Sequence, residues 1–237
     1  MPPLNSLDTW SVRSEWKIEK PKSKCFLIGE GANTEYWYFE ALSCRLAKKG
    51  EPELIELKPV ERTEKEKNQS DPRKLMEHAL SIMRGETGDG EFIQGIDRVV
   101  VCFDTDIFKS CPDEYWGLLD EFEQHNIEVA VTYPSFELFL LLHKAGSLEA
   151  SILPYEKEII ENKRAKGSRR RFIEKLASVE LGMNLKSNRC VGELSEDFDI
   201  ALVAEEKVNQ DSRLAVGRLT SNVARMIRGV VNDGAAG

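Results

Sequence analysis

Lys24–Leu42 reads KCFLIGEGANTEYWYFEAL. Its apolar run, Cys25–Gly29, is short and unbroken, the pattern of a strand buried on both faces. The run stops at Glu30 and Gly31, and a second acid, Glu35, lies just beyond. Asn33 or Thr34 can cap a helix at this point. Tyr36, Phe39, Leu42 and Leu46 then recur at helical spacing. A buried strand thus feeds a helix through a tight turn that carries acids.

Three further stretches extend the pattern. ELIELKPV (Glu53–Val60), DRVVVCFDTD (Asp97–Asp106) and IEVAVTYP (Ile127–Pro134) read as strands, the second of them the clearest in the chain. Helices are expected at Pro72–Arg84, Asp113–His125 and Ser135–Gly146. Glu61–Pro72 is a charged loop, and Gly85–Gly95 a glycine-rich turn. This alternation predicts a mainly parallel, Rossmann-like α/β sheet with helices on both faces. From Pro154 no strong strand appears. Helices are expected there at Tyr155–Ala165, Ser168–Gly182, Asp197–Lys207 and Ser221–Val231. The expected organisation is a polar arm over residues 1–23, an α/β domain over 24–153 and a helical extension over 154–237.

Bulk composition narrows the function classes. Of 237 residues 41% are hydrophobic, enough for a sizeable core, and the net charge of -8 argues against a simple DNA-coating protein. An acidic metal site remains compatible with a nucleic-acid enzyme, because the bound ion offsets its charge locally. The five cysteines show no metal-ligand spacing and fit a reducing compartment. No apolar run approaches the ~20 residues of a membrane span, and no signal-peptide pattern opens the chain. A cytoplasmic protein with no membrane partner is expected.

In a parallel α/β sheet, ligands bind at the carboxyl ends of the strands. The first expected strand ends in Glu30, with Glu35 close behind. The third ends in Asp104 and Asp106. The fourth is followed, after Pro134, by Ser135 and Glu137. Asp104 and Asp106 are two apart, so an extended backbone would turn both to one side. Clustered carboxylates raise each other's pKa. Mg²⁺ relieves this: it takes oxygen ligands at about 2.0–2.1 Å and keeps waters that it can share with a phosphate. Two such ions about 3.5–4 Å apart can stabilise the attacking and leaving oxygens of phosphodiester cleavage. Taken singly, three of these acids have a plainer reading. Glu35 and Glu137 suit a helix dipole, and Asp104 suits a turn. GEGANTE lacks the third glycine of a dinucleotide fingerprint and sets an acid where pyrophosphate would approach.

These motifs resemble those of the Toprim superfamily, found in topoisomerases, bacterial primases and OLD-type nucleases, and more closely those of the RloB family. EGANTEYWYF (Glu30–Phe39) is similar to that family's EGxxTExxYF, and FDTD (Phe103–Asp106) to the Toprim DxD. YPSFELFLLLH (Tyr133–His143) is similar to NPxFELWLLLH, and LTSNVARMI (Leu219–Ile227) faintly resembles the closing STNVHxLV. Gly29 and Tyr133 depart from the family's usual cysteine and asparagine. The resemblance spans roughly Lys24–Ile227 and implies a Toprim-like sheet. It implies that Glu30, Asp104, Asp106 and Glu137 bind Mg²⁺ or Mn²⁺, and that Glu30 or Glu35 relays a proton. Ser135 and Glu137 match the Ser-x-Glu of OLD-type nucleases. The resemblance also implies a phage-defence or restriction-associated setting, often beside an ATPase.

NKRAKGSRRRF (Asn162–Phe172) gathers Lys163, Arg164, Lys166, Arg169, Arg170 and Arg171 in an otherwise acidic chain. It reads either as a surface tracking nucleic-acid phosphates or as a solvated loop between helices. His78, His125 and His143 have no ligand spacing, and His143 reads as a helix-end or packing residue. The expected function is a Mg²⁺-dependent nuclease acting on DNA or RNA, with an ATPase or a second copy of the chain as further partners. The alternative is a non-enzymatic effector subunit that binds metal or nucleotide and partners an ATPase.

Overall fold

The computed structural model describes residues 23–31, 33–49, 55–62, 71–164 and 169–236. Lys166, residues 1–22 of the expected polar arm and much of the 61–72 loop lie outside them. In chain order, the first part holds β1 (Ser23–Gly29), α1 (Thr34–Lys49), β2 (Ile55–Pro59), α2 (Pro72–Met83), β3 (Arg98–Asp104), α3 (Pro112–Gln124), β4 (Glu128–Tyr133) and α4 (Phe136–Leu141). The second part holds α5 (Glu156–Glu161), α6 (Phe172–Glu180), α7 (Phe198–Glu205), β5 (Thr220–Ser221) and α8 (Val223–Ala236). The strands form one sheet in the order β2-β1-β3-β4-β5. The first four are parallel, and β5 pairs antiparallel with the end of β4.

Alternation along the strands explains their unbroken apolar character. Cys25 and Leu27 of β1, with Val100 and Cys102 of β3, face a core shared with Tyr38, Phe39, Leu42 and Leu46 of α1. The C-terminal helices join that same core through Ile173, Ala177, Ala201, Val223 and Ile227. Phe26 and Ile28, with Val99, Val101 and Phe103, face the opposite side, against Leu75 and Ile82 of α2 and Leu118 and Phe122 of α3. Each such large side chain, once buried, stabilises the fold by about 1.5–3 kcal/mol. The start of α2 is set locally: Asp71 accepts a hydrogen bond from the Arg73 N–H at 2.9 Å, and Pro72 occupies the first helical position.

Three expectations are corrected. The strand expected to reach Asp106 stops at Asp104, and Asp106 opens a 3₁₀ turn (Asp106–Ser110). The helix expected over Ser135–Gly146 ends at Leu141. Its carbonyls are taken by local donors: Ser147 Oγ reaches Leu141 O at 2.6 Å, and His143 Nδ1 lies 3.0 Å from Phe139 O. Gly146, at φ 77°, then turns the chain. The C-terminal part also contributes a strand, β5. Two polar residues are too short to show a period, and β5 is fixed from outside, by pairing with Thr132 and Tyr133. Beside it the Asn222 side chain accepts from the Val131 N–H at 2.6 Å.

Glu205, fully buried on α7, ties this region together. Its carboxylate accepts from Ser221 Oγ at 2.6 Å and from the amides of Ala224 and Arg225 at 3.1 and 2.8 Å, thereby capping α8. Glu205→Ala should cost on the order of 2–4 kcal/mol in urea denaturation, because three donors lose their acceptor. Glu205→Gln should cost less, since only the Arg225 amide meets a nitrogen. Equal losses would show that the hydrogen bonds contribute little.

Candidate functional site

The topology creates a crevice. From β1 the chain crosses through α1 to β2 on one side, and from β3 it crosses through α3 to β4 on the other. The connections diverge above the adjacent carboxyl ends of β1 and β3, which is where ligands bind in open α/β sheets. A cavity of about 500 Å³ opens there, lined by Glu30, Glu35, Asp104, Asp106, Ser135 and Glu137 together with Arg171, Glu174 and Lys186.

Each acid is placed by identifiable contacts. The Glu30 amide donates to Cys102 O at 2.9 Å, which extends the β1–β3 ladder by one bond. The Glu30 carboxylate accepts from the Asp104 N–H at 2.8 Å, and Thr132 Oγ1 donates to Asp104 Oδ1 at 2.6 Å. The buried Arg62 guanidinium donates to the Glu30 carbonyl. Glu35, in the first turn of α1, folds back over the preceding turn. A Cβ at Gly31 would overlap its carboxylate and force that side chain to swing away, and one at Gly29 would lie 2.7 Å from the Glu35 Cβ, so with Glu35 in this position the two glycines let it pack against the turn. Asp106 reaches the cavity from its 3₁₀ turn and pairs with Arg171. Ser135 Oγ donates to Glu137 Oε2 at 2.5 Å. After Tyr133 a cis peptide leads into Pro134.

Burial and crowding shift these groups. Glu30 is pushed up to about 7, first by burial and then by the charges of Glu35 and Glu137, against the opposing Asp104 amide and Arg62. Glu35 also rises to about 7, through burial and the nearby Glu137. Asp104 lies well above the usual carboxylate range, through burial and then Glu30, Glu137 and Glu35. Lys186 faces this crowd. Burial disfavours its charge, but its hydrogen bond to Glu174 and the nearby Glu137 and Glu35 outweigh that, and its pKa rises.

Of the basic run, Arg171 lines the cavity. Lys163 pairs with Glu161 at 2.9 Å, Arg164 forms a backbone bridge to Arg171, and Arg169 and Arg170 are exposed. Lys186, Glu174, Thr132 and Arg62 are additions that sequence reasoning missed. Lys186 sits in a polar turn without periodicity. It is held over the cavity because Thr34 Oγ1 donates to Leu185 O at 3.1 Å. Only the three-dimensional path of the chain reveals it.

Glu30, Asp104, Asp106 and Glu137 offer oxygen donors of the kind a hard cation takes. Among the described residues, no group of three His, Cys, Asp or Glu side chains is arranged to hold a metal ion. The contacts explain this, because Asp104, Asp106 and Glu137 are each drawn toward a protein donor.

The fold and cavity define an α/β protein with an acidic crevice at the switch point of its sheet. The chain belongs to the RloB-like protein family, whose model matches residues 25–227. No curated protein and no solved structure matches it.

The raised acids make the protein sensitive to pH. Glu30 and Glu35 sit near 7 when folded, against an ordinary 4.5, so the folded state holds more protons between these values. Their stabilising contribution is complete below about pH 4.5 and is lost as pH rises through about 7. Thermal melts in chelator should therefore show Tm falling across that window. Glu35→Gln should flatten the fall, and an unchanged slope would exclude Glu35 as a source.

Proposed function

We propose that the chain is a divalent-metal-dependent nuclease that cleaves phosphodiester bonds of DNA or RNA. The observation that carries this reading is the convergence of Glu30, Glu35, Asp104, Asp106 and Glu137 on one cavity, opposite Arg171 and Lys186. Glu30, Asp104, Asp106 and Glu137 would hold the metal, Mg²⁺ or Mn²⁺. When bound, the metal would supply Lewis-acid charge and lower the pKa of water. Asp104 is already oriented by Thr132, and Glu30 by the Asp104 amide. Asp106 and Glu137 would turn inward from Arg171 and Ser135. Glu35, with its pKa near 7, is suited to take up and return a proton at neutral pH. Arg171 and Lys186 would meet phosphate oxygens. Arg169 and Arg170 would track the nucleic-acid backbone outside the cavity.

In this reading the protein acts in the cytoplasm as a phage-defence or restriction-associated effector, with an ATPase or a second copy as partner. Among the described residues, no helix is long and apolar enough to cross a membrane.

A second reading, a non-catalytic effector subunit, draws support from the same contacts, since Asp106 and Glu137 are already engaged by protein donors. Cleavage assays separate the two. Purified chain with Mn²⁺ should cut single-stranded DNA, duplex DNA or RNA, with and without a co-purified ATPase. Asp104→Asn should keep the fold by circular dichroism and lower the rate at least about 100-fold. Absence of cleavage under every condition would favour the non-catalytic reading.

A further inference from the structure

Asp106 has two claimants. In the structure its carboxylate is taken by the guanidinium of Arg171, which reaches back from the C-terminal part of the chain. The base of Arg171 is well fixed. Its backbone bridges to Arg164, the next amide, Phe172 N–H, donates to Lys163 O at 3.1 Å, and Ile173 N–H donates to Asn162 Oδ1 at 3.2 Å. Its side chain is different: 48% exposed, against 16% for Asp106, it can exchange partners without crossing packed side chains.

A cation on Asp106 would set positive charge beside that guanidinium and expel it. A phosphate oxygen next to the cation would then give the freed guanidinium a new acceptor. Resting on the reading of the rim as a metal site, we propose that Arg171 is an internal competitor for the cation and, once displaced, a phosphate-binding residue. It makes cation and phosphate bind cooperatively. The cation alone binds weakly, because it must break the Asp106–Arg171 pair without replacing it. The two ligands together satisfy every charge the pair leaves behind.

The test is calorimetric titration of Mn²⁺ into the metal-free full chain, with or without sulfate as an inert tetrahedral anion at matched ionic strength. Wild type should bind Mn²⁺ more tightly when sulfate is present. Arg171→Gln should bind Mn²⁺ about fivefold more tightly than wild type without sulfate, the fold-change to which the upper value for an exposed ion pair converts. It should also lose the response to sulfate. Arg171→Lys keeps the competing charge and should stay near wild type. If Arg171→Gln binds no more tightly than wild type, or Arg171→Lys matches Arg171→Gln, the competition is overturned, while loss of binding in Asp104→Asn still upholds the metal site. If wild type binds no Mn²⁺ at all, the metal reading and the competition fall together.

Discussion

The Asp104 amide donates to the Glu30 carboxylate across the seam between the first and third strands, and much of the molecule is arranged around that contact. It exists because the chain leaves these two adjacent strands in opposite directions. At their carboxyl ends the two strands lie side by side, and the end of one can reach the next. Thr132, at the end of the fourth strand, extends the contact by one step to Asp104. Three strand ends are thereby linked through polar atoms in a region the hydrophobic effect alone would not order.

The cost of this arrangement is negative charge in a partly buried space. Burial raises the proton affinity of Glu30, Glu35 and Asp104, and the charges of neighbouring acids, Glu137 among them, raise it further. The first part of the chain contributes Arg62 at the base of the cluster. The cations at its mouth, Arg171 and Lys186, come from the C-terminal part, which also packs onto one face of the sheet in a continuous core. Packing and charge balance therefore draw the two parts of the chain together for separate reasons.

Much of the sheet was legible in the sequence because strands buried on both faces must be apolar throughout, and such runs are hard to mistake. The acids were legible because they interrupt those runs at their ends. What stayed hidden was set by contacts distant in sequence. The two-residue β5 has no pattern of its own and depends on Tyr133 and Thr132. Asp106 was expected to share a side with Asp104 by strand alternation. It reaches the cavity instead because the backbone turns into a 3₁₀ segment. Within the basic run nothing singled out Arg171 from its neighbours, because its position follows from a backbone bridge to Arg164.

The positions of the charges along the chain have a consequence for biosynthesis. Glu30, Glu35, Asp104, Asp106 and Glu137 come first along the chain, whereas Arg171 and Lys186, with Glu174 between them, come later. A growing polypeptide thus presents these acids before the two cations at the mouth of the cavity. The helix α8, whose amino end is capped by Glu205, is made later still. The cleft is therefore completed only once Lys186 has been made, and a chain ended before Arg171 would carry the acids without their cationic wall.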